Sequence, residues 1–118
     1  MTENKRTVEK YMEAFGRSDH AEILSCLTDD VEWVLPGVFH HHGKAAFDKE
    51  IENAEFMGKP AITTTRLTEE NGVVVAEGRV RTQKATGEHI HLVFCDVFEM
   101  QGGLIERLTS YLMQVPES

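Results

Sequence analysis

One aspartate interrupts the most apolar stretch of the chain, HLVFCDVFEM, which covers residues 91–100. An ionised carboxylate that is buried without a partner is so unfavourable that it binds a proton or finds a hydrogen-bond donor. Burial beside Phe94 and Phe98 would raise the pKa of Asp96, and the neutral acid could then donate to the carbonyl oxygen of a ligand. The alternative is a structural aspartate, hydrogen-bonded to a helix or to the indole of Trp33, that only stabilises the fold.

Two other kinds of side chain could take part in chemistry with Asp96. Tyr11 lies on the apolar face of a segment with helical spacing, and its hydroxyl could donate to the same ligand oxygen. The string FHHHG places His40 and His42 on one side of an extended backbone, and a neutral imidazole is a competent base near pH 7. We therefore predict Asp96 and Tyr11 as donors to an oxyanion, and His40 or His42 as the base.

The same histidines raise the alternative of a metal site. An H-x-H sequence on a strand projects both rings to one side, so His40 and His42 could combine with His89 or His91. This spacing belongs to no established metal-binding motif, and the simpler interpretation is a set of histidines in exposed loops and turns. We therefore predict no metal and no other cofactor.

Length, composition and charge limit the classes of function. The chain has 118 residues, which fits one domain, 1–118, with a single core. Its net charge of −8 and its scattered basic residues argue against nucleic acid or an anionic membrane as a partner. The polar N-terminus, the absence of a long apolar stretch and the distant Cys26 and Cys95 indicate a cytoplasmic protein with reduced thiols.

Helical periodicity marks three segments that would position these residues. The first has apolar residues at positions i, i+3, i+4 and i+7, namely Val8, Tyr11, Met12 and Phe15. The second begins at a capping box formed by Asp19 and Glu22. The third is predicted over Lys44–Met57, before the stop signals Gly58 and Pro60. Its apolar face would consist of Phe47, Ile51 and Ala54.

Five segments have the two-residue period of strands. In TDDVEWVLPG, Trp33 and Leu35 lie on the buried face, before the loop GVFHHHG. Short turns join the later runs AITTTRLT, VVVAEGRVRTQ, EHIHLVFCDVFEM and LIERLTSYLMQV, which predicts an antiparallel meander. Asp96 alternates onto the same face as Ile90, Leu92, Phe94, Phe98 and Met100. The opposite face is a predicted homodimer interface that would carry Val93, Tyr111, Met113 and His91.

The order of the elements, α-α-β-α-β-β-β-β, predicts an α+β fold with three N-terminal helices on one face of a bent sheet. The stretches YMEAFGRSDHAEILSCLTDDVEWVLPG, HGKAAF and FCDVFEMQGGLIERLTSYL resemble the superfamily of nuclear transport factor 2 and the SnoaL-like polyketide cyclases. This resemblance implies a cone, in which a strongly curved, mixed and mainly antiparallel sheet encloses a pocket. It also implies a homodimer.

Within that superfamily, the resemblance to ketosteroid isomerase extends to single residues. It implies that Tyr11 and a protonated Asp96 are the two oxyanion donors. The isomerase base is an aspartate immediately before the proline of the first strand, and Leu35 stands at that place here. Cyclases and epoxide hydrolases usually carry a characteristic acidic residue in the final strand. That pattern is not matched either, because Asp96 is the last aspartate of the sequence and Glu106 is the only acid in the final strand.

These residues together predict a ligand that is small, mostly apolar and equipped with a carbonyl or hydroxyl group. Its binding surface would comprise Trp33, Leu35, Phe94, Phe98, Leu108, Ser110 and Leu112. As an enzyme, the protein would carry out proton transfer of the isomerase, cyclase or dehydratase type without a cofactor. The alternative is a non-catalytic ligand-binding or interaction module, which the missing aspartate favours.

Overall fold

The structure is a computed structural model that describes residues 1–51, 56–84 and 86–116, without the side chains of residues 56–59. Its helices are α1 (Glu3–Gly16), α2 (His20–Ser25) and α3 (Lys44–Ile51). Its strands are β1 (Leu27–Leu35), β2 (Phe39–His42), β3 (Phe56–Glu70), β4 (Val73–Lys84), β5 (His89–Gln101) and β6 (Leu104–Val115). None of the described helices has the length and apolar content of a membrane span.

The strands form one six-stranded sheet in the order β2-β1-β6-β5-β4-β3. β1 and β6 run parallel, whereas the other neighbouring strands pair antiparallel. The sheet is curled but not closed, since β2 and β3 form its two edges. The predicted α+β fold with a mixed, mainly antiparallel sheet is therefore confirmed.

Side-chain N-caps mark the starts of the first two helices. The Thr2 side chain accepts a hydrogen bond from the Lys5 backbone N–H at 3.1 Å and caps α1. The Asp19 side chain accepts from the Glu22 N–H at 3.2 Å and caps α2, so the predicted capping position is confirmed. On the predicted apolar face of α1, Val8, Tyr11 and Met12 are buried and Phe15 is partly buried; Tyr11 is 3% exposed.

The prediction for the third helix is wrong at its C-terminal side. Helix α3 is described as far as Ile51, and Phe56 and Met57 already belong to β3. Ala54, which was predicted on the helix face, lies outside the described residues. Pro60 is not a stop signal but lies inside β3, an edge strand whose pairing with β4 changes register between Met57 and Ala61. A proline is tolerated there because an edge strand or a bulge leaves its missing N–H without consequence.

The predicted loop GVFHHHG contains the short strand β2, so that prediction is also corrected. Phe39–His42 pairs antiparallel with β1 and places His41 opposite Trp33. The sequence FHHH lacks the apolar and polar alternation that predicts a strand. The strand forms because β1 offers it a hydrogen-bonding edge.

The two faces of the sheet differ in burial as the alternation predicts. On β5, the buried residues are Ile90, Phe94, Asp96 and Phe98, which alternate onto one face of the sheet. On the outer face of β6, Tyr111 is 52% exposed and Met113 is 65% exposed. The inner face therefore contains the core and the candidate site.

Candidate functional site

Asp96 belongs to a hydrogen-bonded row of side chains on the inner face of the sheet. It lies opposite Ser110 in the pairing of β5 with β6, and the two residues are 9% and 5% exposed. Trp33 Nε1 donates to Ser110 Oγ at 3.0 Å, and the Ser110 hydroxyl donates to the Asp96 carboxylate. Ser110 therefore connects Asp96 to the indole, in place of the direct contact considered in the structural alternative.

The protonation of Asp96 follows from its surroundings. Burial raises its pKa from 3.8 to about 7, even though the hydrogen bond from Ser110 stabilises the anion and lowers the value. A large fraction of Asp96 therefore carries a proton near neutral pH. A protonated carboxyl can donate a hydrogen bond to a ligand oxygen, which the carboxylate cannot do.

Tyr11 projects from α1 into the same part of the core. Its ring lies 5.5 Å from the ring of Phe98 and 6.2 Å from that of Phe47, in edge-to-face contacts. Burial raises the pKa of Tyr11 well above 10.0, and the negative charges of Asp96 and Cys26 raise it further. The phenol is therefore neutral at neutral pH, and Asp96 lies near enough for its charge to act on it.

Aromatic side chains surround these donors. The ring of Trp33 stacks on Phe47 at 4.4 Å, and it meets the edges of Phe39 at 5.2 Å and Phe15 at 6.0 Å. These residues come from α1, β1, β2 and α3, so four separate elements contribute to one aromatic cluster. Phe47 is fully buried and Trp33 is 9% exposed, so this cluster forms part of the core next to Ser110 and Asp96.

The structure places the other predicted lining residues at different depths. Phe98 and Leu108 face each other across β5 and β6 and are fully buried, so they fill the core. Leu112 lies opposite Phe94 and is 47% exposed, which makes it reachable from solvent. Leu35 lies half-buried at the end of β1.

His40 and His42 do not lie on the same face of the sheet as Asp96. Because they lie opposite Val34 and Glu32, their side chains project from the sheet face that is opposite to Trp33. His40 Nε2 lies 2.8 Å from Glu32 Oε1 at the exposed surface. The two histidines do share one side, as predicted, but the register of β1 with β2 turns that side outward.

His41, which no sequence pattern indicated, faces inward instead. Its ring stacks on Phe39 at 4.5 Å, and its Nε2 lies 2.7 Å from Glu50 Oε1. The signal that could have identified it is the two-residue alternation that places His41 with Phe39 on the apolar side. That alternation becomes informative only when residues 39–42 are recognised as a strand.

The alternative of a metal site finds no support in the geometry. The strands that carry the two H-x-H sequences, β2 and β5, are separated in the sheet by β1 and β6. Over the ranges that the structure describes, no three histidine, cysteine, aspartate or glutamate side chains are grouped as a metal ion requires. His40 and His41 instead each pair with a single carboxylate.

A surface groove of about 400 Å³ lies between α1 and β3. Its lining includes Glu9 and Glu13 of α1 and the residues of β3 from Ile62 to Leu67, except Thr63. Asp96 is not part of this lining, so the groove and the Asp96 row are separate features of the protein.

Known structures share this fold. An NTF2-like protein of unknown function from Burkholderia pseudomallei superposes with a TM-score of 0.87 at 21% identity, over 96% of this chain and 92% of the other. A candidate polyketide cyclase from Xanthomonas campestris gives 0.84 at 25% identity, over 92% and 89% of the two chains. A candidate ketosteroid isomerase from Kribbella flavida gives 0.77 at 21% identity, over 98% and 82%. A search of curated proteins finds no match.

The family model described as the SnoaL-like domain matches residues 8–108. This range extends from α1 to the middle of β6 and includes Tyr11, Trp33 and Asp96. It also covers most of the sheet that carries the site. The chain therefore belongs to the SnoaL-like domain family.

Proposed function

We propose that the protein binds a small, mostly apolar carbonyl or hydroxyl compound at Asp96 and Tyr11, and that it catalyses cofactor-independent proton transfer on this compound. The observation that carries the proposal is a buried carboxyl on the inner face of the curled sheet whose charge acts on a buried phenol of α1. Two neutral donors can bind one ligand oxygen together. They stabilise the negative charge that develops there when a neighbouring carbon loses a proton.

The reaction class follows from the donors and the aromatic cluster. An enol or enolate intermediate is flat and apolar except at its oxygen, which matches two donors set among aromatic rings. Isomerisation, cyclisation and dehydration can all proceed through such an intermediate. The similarity of the fold to a candidate isomerase and a candidate cyclase supports this class by analogy.

A non-catalytic binding module is the second candidate function. The specific observation in its favour is Leu35, which stands before Pro36 at the place where the related isomerases carry their base. Such a module would bind the same compounds at Asp96 and Tyr11 but would not exchange or move their protons.

Binding of 2-naphthol, a stable planar analogue of an enol, tests the proposed site. We expect saturable binding, measured by the fluorescence of 2-naphthol, and a five- to tenfold weaker affinity in Tyr11→Phe because roughly 1 kcal/mol of hydrogen bonding is lost. Asp96→Leu should weaken it by at least as much. Binding should also weaken between about pH 6 and about pH 8, since Asp96 loses its proton near pH 7.

The matched control is Tyr111→Phe, which removes the same hydroxyl from an exposed tyrosine of the outer face. Its affinity for 2-naphthol should equal that of the wild type. Equal affinities for wild type and Tyr11→Phe, or no saturable binding to the wild type, would contradict the proposed site.

We also propose a homodimer that forms through the outer face of β4, β5 and β6. Tyr111 and Met113 are largely exposed there, beside the half-buried Val93. The face also carries Arg79 and Glu77. Glu77 pairs with Arg66 of its own chain at 2.6 Å, and a two-fold axis can bring Arg79 of the second copy to the same carboxylate. A second copy is therefore the occupant that suits this face.

Sedimentation velocity tests the dimer. The double variant Tyr111→Lys with Met113→Lys should sediment as a monomer, because four lysines would meet at the two-fold interface. The control is Val38→Lys in the turn between β1 and β2, which is 72% exposed and should leave the dimer unchanged. A monomeric wild type at about 50 µM would show that the proposed interface is too weak to matter.

A further inference from the structure

A second polar pair, formed by His41 and Glu50, lies outside the Asp96 row. His41 projects from β2 and Glu50 from α3, and His41 Nε2 lies 2.7 Å from Glu50 Oε1. The two side chains are 29% and 16% exposed, so solvent reaches them only in part. On its other side, the imidazole stacks on Phe39 with an angle of 19° between the ring planes. A carboxylate and an aromatic ring thus hold the imidazole in one orientation.

The contact with Glu50 determines which ring nitrogen is available. Because the carboxylate can only accept, the hydrogen bond places the proton of the neutral imidazole on Nε2. Nδ1 then carries the lone pair, and it has no hydrogen-bond partner among the residues that the structure describes. A histidine that a carboxylate orients through one nitrogen, with the other nitrogen available to accept a proton, has the arrangement of a general base.

The position of His41 in the sheet suits it to act on a ligand at Asp96. Its side chain projects to the inner face because it lies opposite Trp33 in the pairing of β1 with β2. From β2, the sheet reaches β5 through β1 and β6. Three strand spacings of about 4.8 Å, together with the two residues along β5 from Phe98 to Asp96, therefore separate the backbones of His41 and Asp96 by about 16 Å on a flat sheet. Inward side chains on a curled sheet converge, so a ligand of one or two rings can contact both.

We infer that His41, positioned by Glu50, is the group that moves the proton in the reaction proposed above, and this inference rests on that proposed function. Nδ1 of His41 takes a proton from the carbon next to the ligand carbonyl. The electron pair of that C–H bond forms the C=C bond of the enolate, and the π pair of the carbonyl moves to its oxygen, which accepts hydrogen bonds from Tyr11 and Asp96. His41 is left as the imidazolium. His41 then returns the proton to the same carbon or to another one. The step is balanced without an oxidant, a reductant or a co-reactant.

A base at His41 would replace the catalytic carboxylate that this chain lacks before Pro36. In this chain the base would come from β2, the strand paired with β1, and not from β1 itself. His41 would be the catalytic residue, since it touches the reacting proton. Glu50 would be a positioning residue, since it acts through His41.

Hydrogen exchange of 2-tetralone in D2O tests the inference, because loss of its protons next to the carbonyl is followed directly by proton NMR. We expect the wild type to accelerate this exchange and His41→Gln to reduce the acceleration by about a hundredfold or more. Glu50→Gln should reduce it by about tenfold, because the imidazole is no longer held in one tautomer. The affinity for 2-naphthol should stay unchanged in both variants, which a merely structural role would not explain.

The matched comparison is His40→Gln. His40 lies on the same strand and also contacts a carboxylate, Glu32, but it projects to the outer face. Exchange in this variant should equal that of the wild type. An equal loss in His40→Gln and His41→Gln, an unchanged rate in His41→Gln, or a wild type that does not exceed buffer would each overturn the inference.

Two further observations separate the possible failures. If 2-naphthol binds as expected but exchange does not depend on His41, the base is wrong and the proposed binding site stands. If 2-naphthol does not bind at all, the proposed function fails together with the inference. Should His41→Gln not fold, nitrogen NMR of the wild type decides: 2-naphthol should shift the Nδ1 signal of His41 and not that of His40, and an unmoved His41 signal overturns the inference.

Discussion

At about pH 8, Asp96→Asn should be more stable than the wild type, by up to about 4 kcal/mol in the free energy of unfolding. The pKa of Asp96 is about 7 in the folded protein, against 3.8 for an ordinary aspartate. Between these two values, the folded state binds a proton that the unfolded state has released. The stability that neutral Asp96 contributes is therefore complete below about pH 4 and is lost as the pH rises through about 7. The amide of the substituted asparagine cannot ionise, so the variant does not lose this stability.

Urea unfolding followed by the fluorescence of Trp33 measures this effect. The difference in free energy of unfolding between Asp96→Asn and wild type should grow by roughly 2–3 kcal/mol from about pH 5 to about pH 8. Glu88→Gln makes the same chemical change at an exposed position between β4 and β5 and should show no such growth. A constant difference between Asp96→Asn and wild type would mean that the Asp96 carboxylate is well solvated or fully paired.

Gly78→Ala should lose at least about 3 kcal/mol of stability, because the new methyl group has no space. An ideal Cβ at Gly78 would lie 2.1 Å from the backbone oxygen of Thr63 and 2.7 Å from the ring of Phe94. The Thr63 backbone oxygen cannot move away from the new methyl group without disturbing the pairing of β3 with β4. The ring of Phe94 would also be displaced on the inner face, close to the Asp96 row.

Thermal unfolding followed by circular dichroism measures the loss in Gly78→Ala. Gly16→Ala is the matched control, because the nearest atom to its new Cβ would be the Pro60 oxygen at 3.8 Å. Since Gly16 ends α1, alanine there should leave stability unchanged or raise it by up to about 1 kcal/mol. A melting temperature of Gly78→Ala within about 2 °C of the wild type would contradict the steric argument.

The parts of the fold that depend on local chemistry could be predicted from the sequence. The face of α1 that buries Tyr11 follows from the 3.6-residue period, and the start of α2 follows from the Asp19 cap. The inward position of Asp96 follows from the two-residue period of β5. The turn between β3 and β4 also follows from the sequence, because Asn71 and Gly72 have the positive φ angles that an Asn-Gly hairpin turn requires.

The parts that depend on distant partners could not be predicted. The parallel pairing of β1 with β6 joins residues as far apart as Leu27 and Ile105, and no local pattern records it. Strand β2 exists because β1 provides its partner. The three consecutive histidines show no alternation, so the sequence does not predict which side His40 and His41 face. The link from Trp33 to Asp96 through Ser110 likewise requires three strands in the correct register.

The central position of β6 in the sheet has a consequence for the way the chain folds during synthesis. Because β6 lies between β1 and β5, the two halves of the sheet share no strand pairing until residues 104–115 have emerged from the ribosome. Before then, β1 and β5 each present an open hydrogen-bonding edge to other chains. We therefore expect nascent chains that stop before β6 to depend on chaperones, and expression at low temperature to favour the native protein over aggregates.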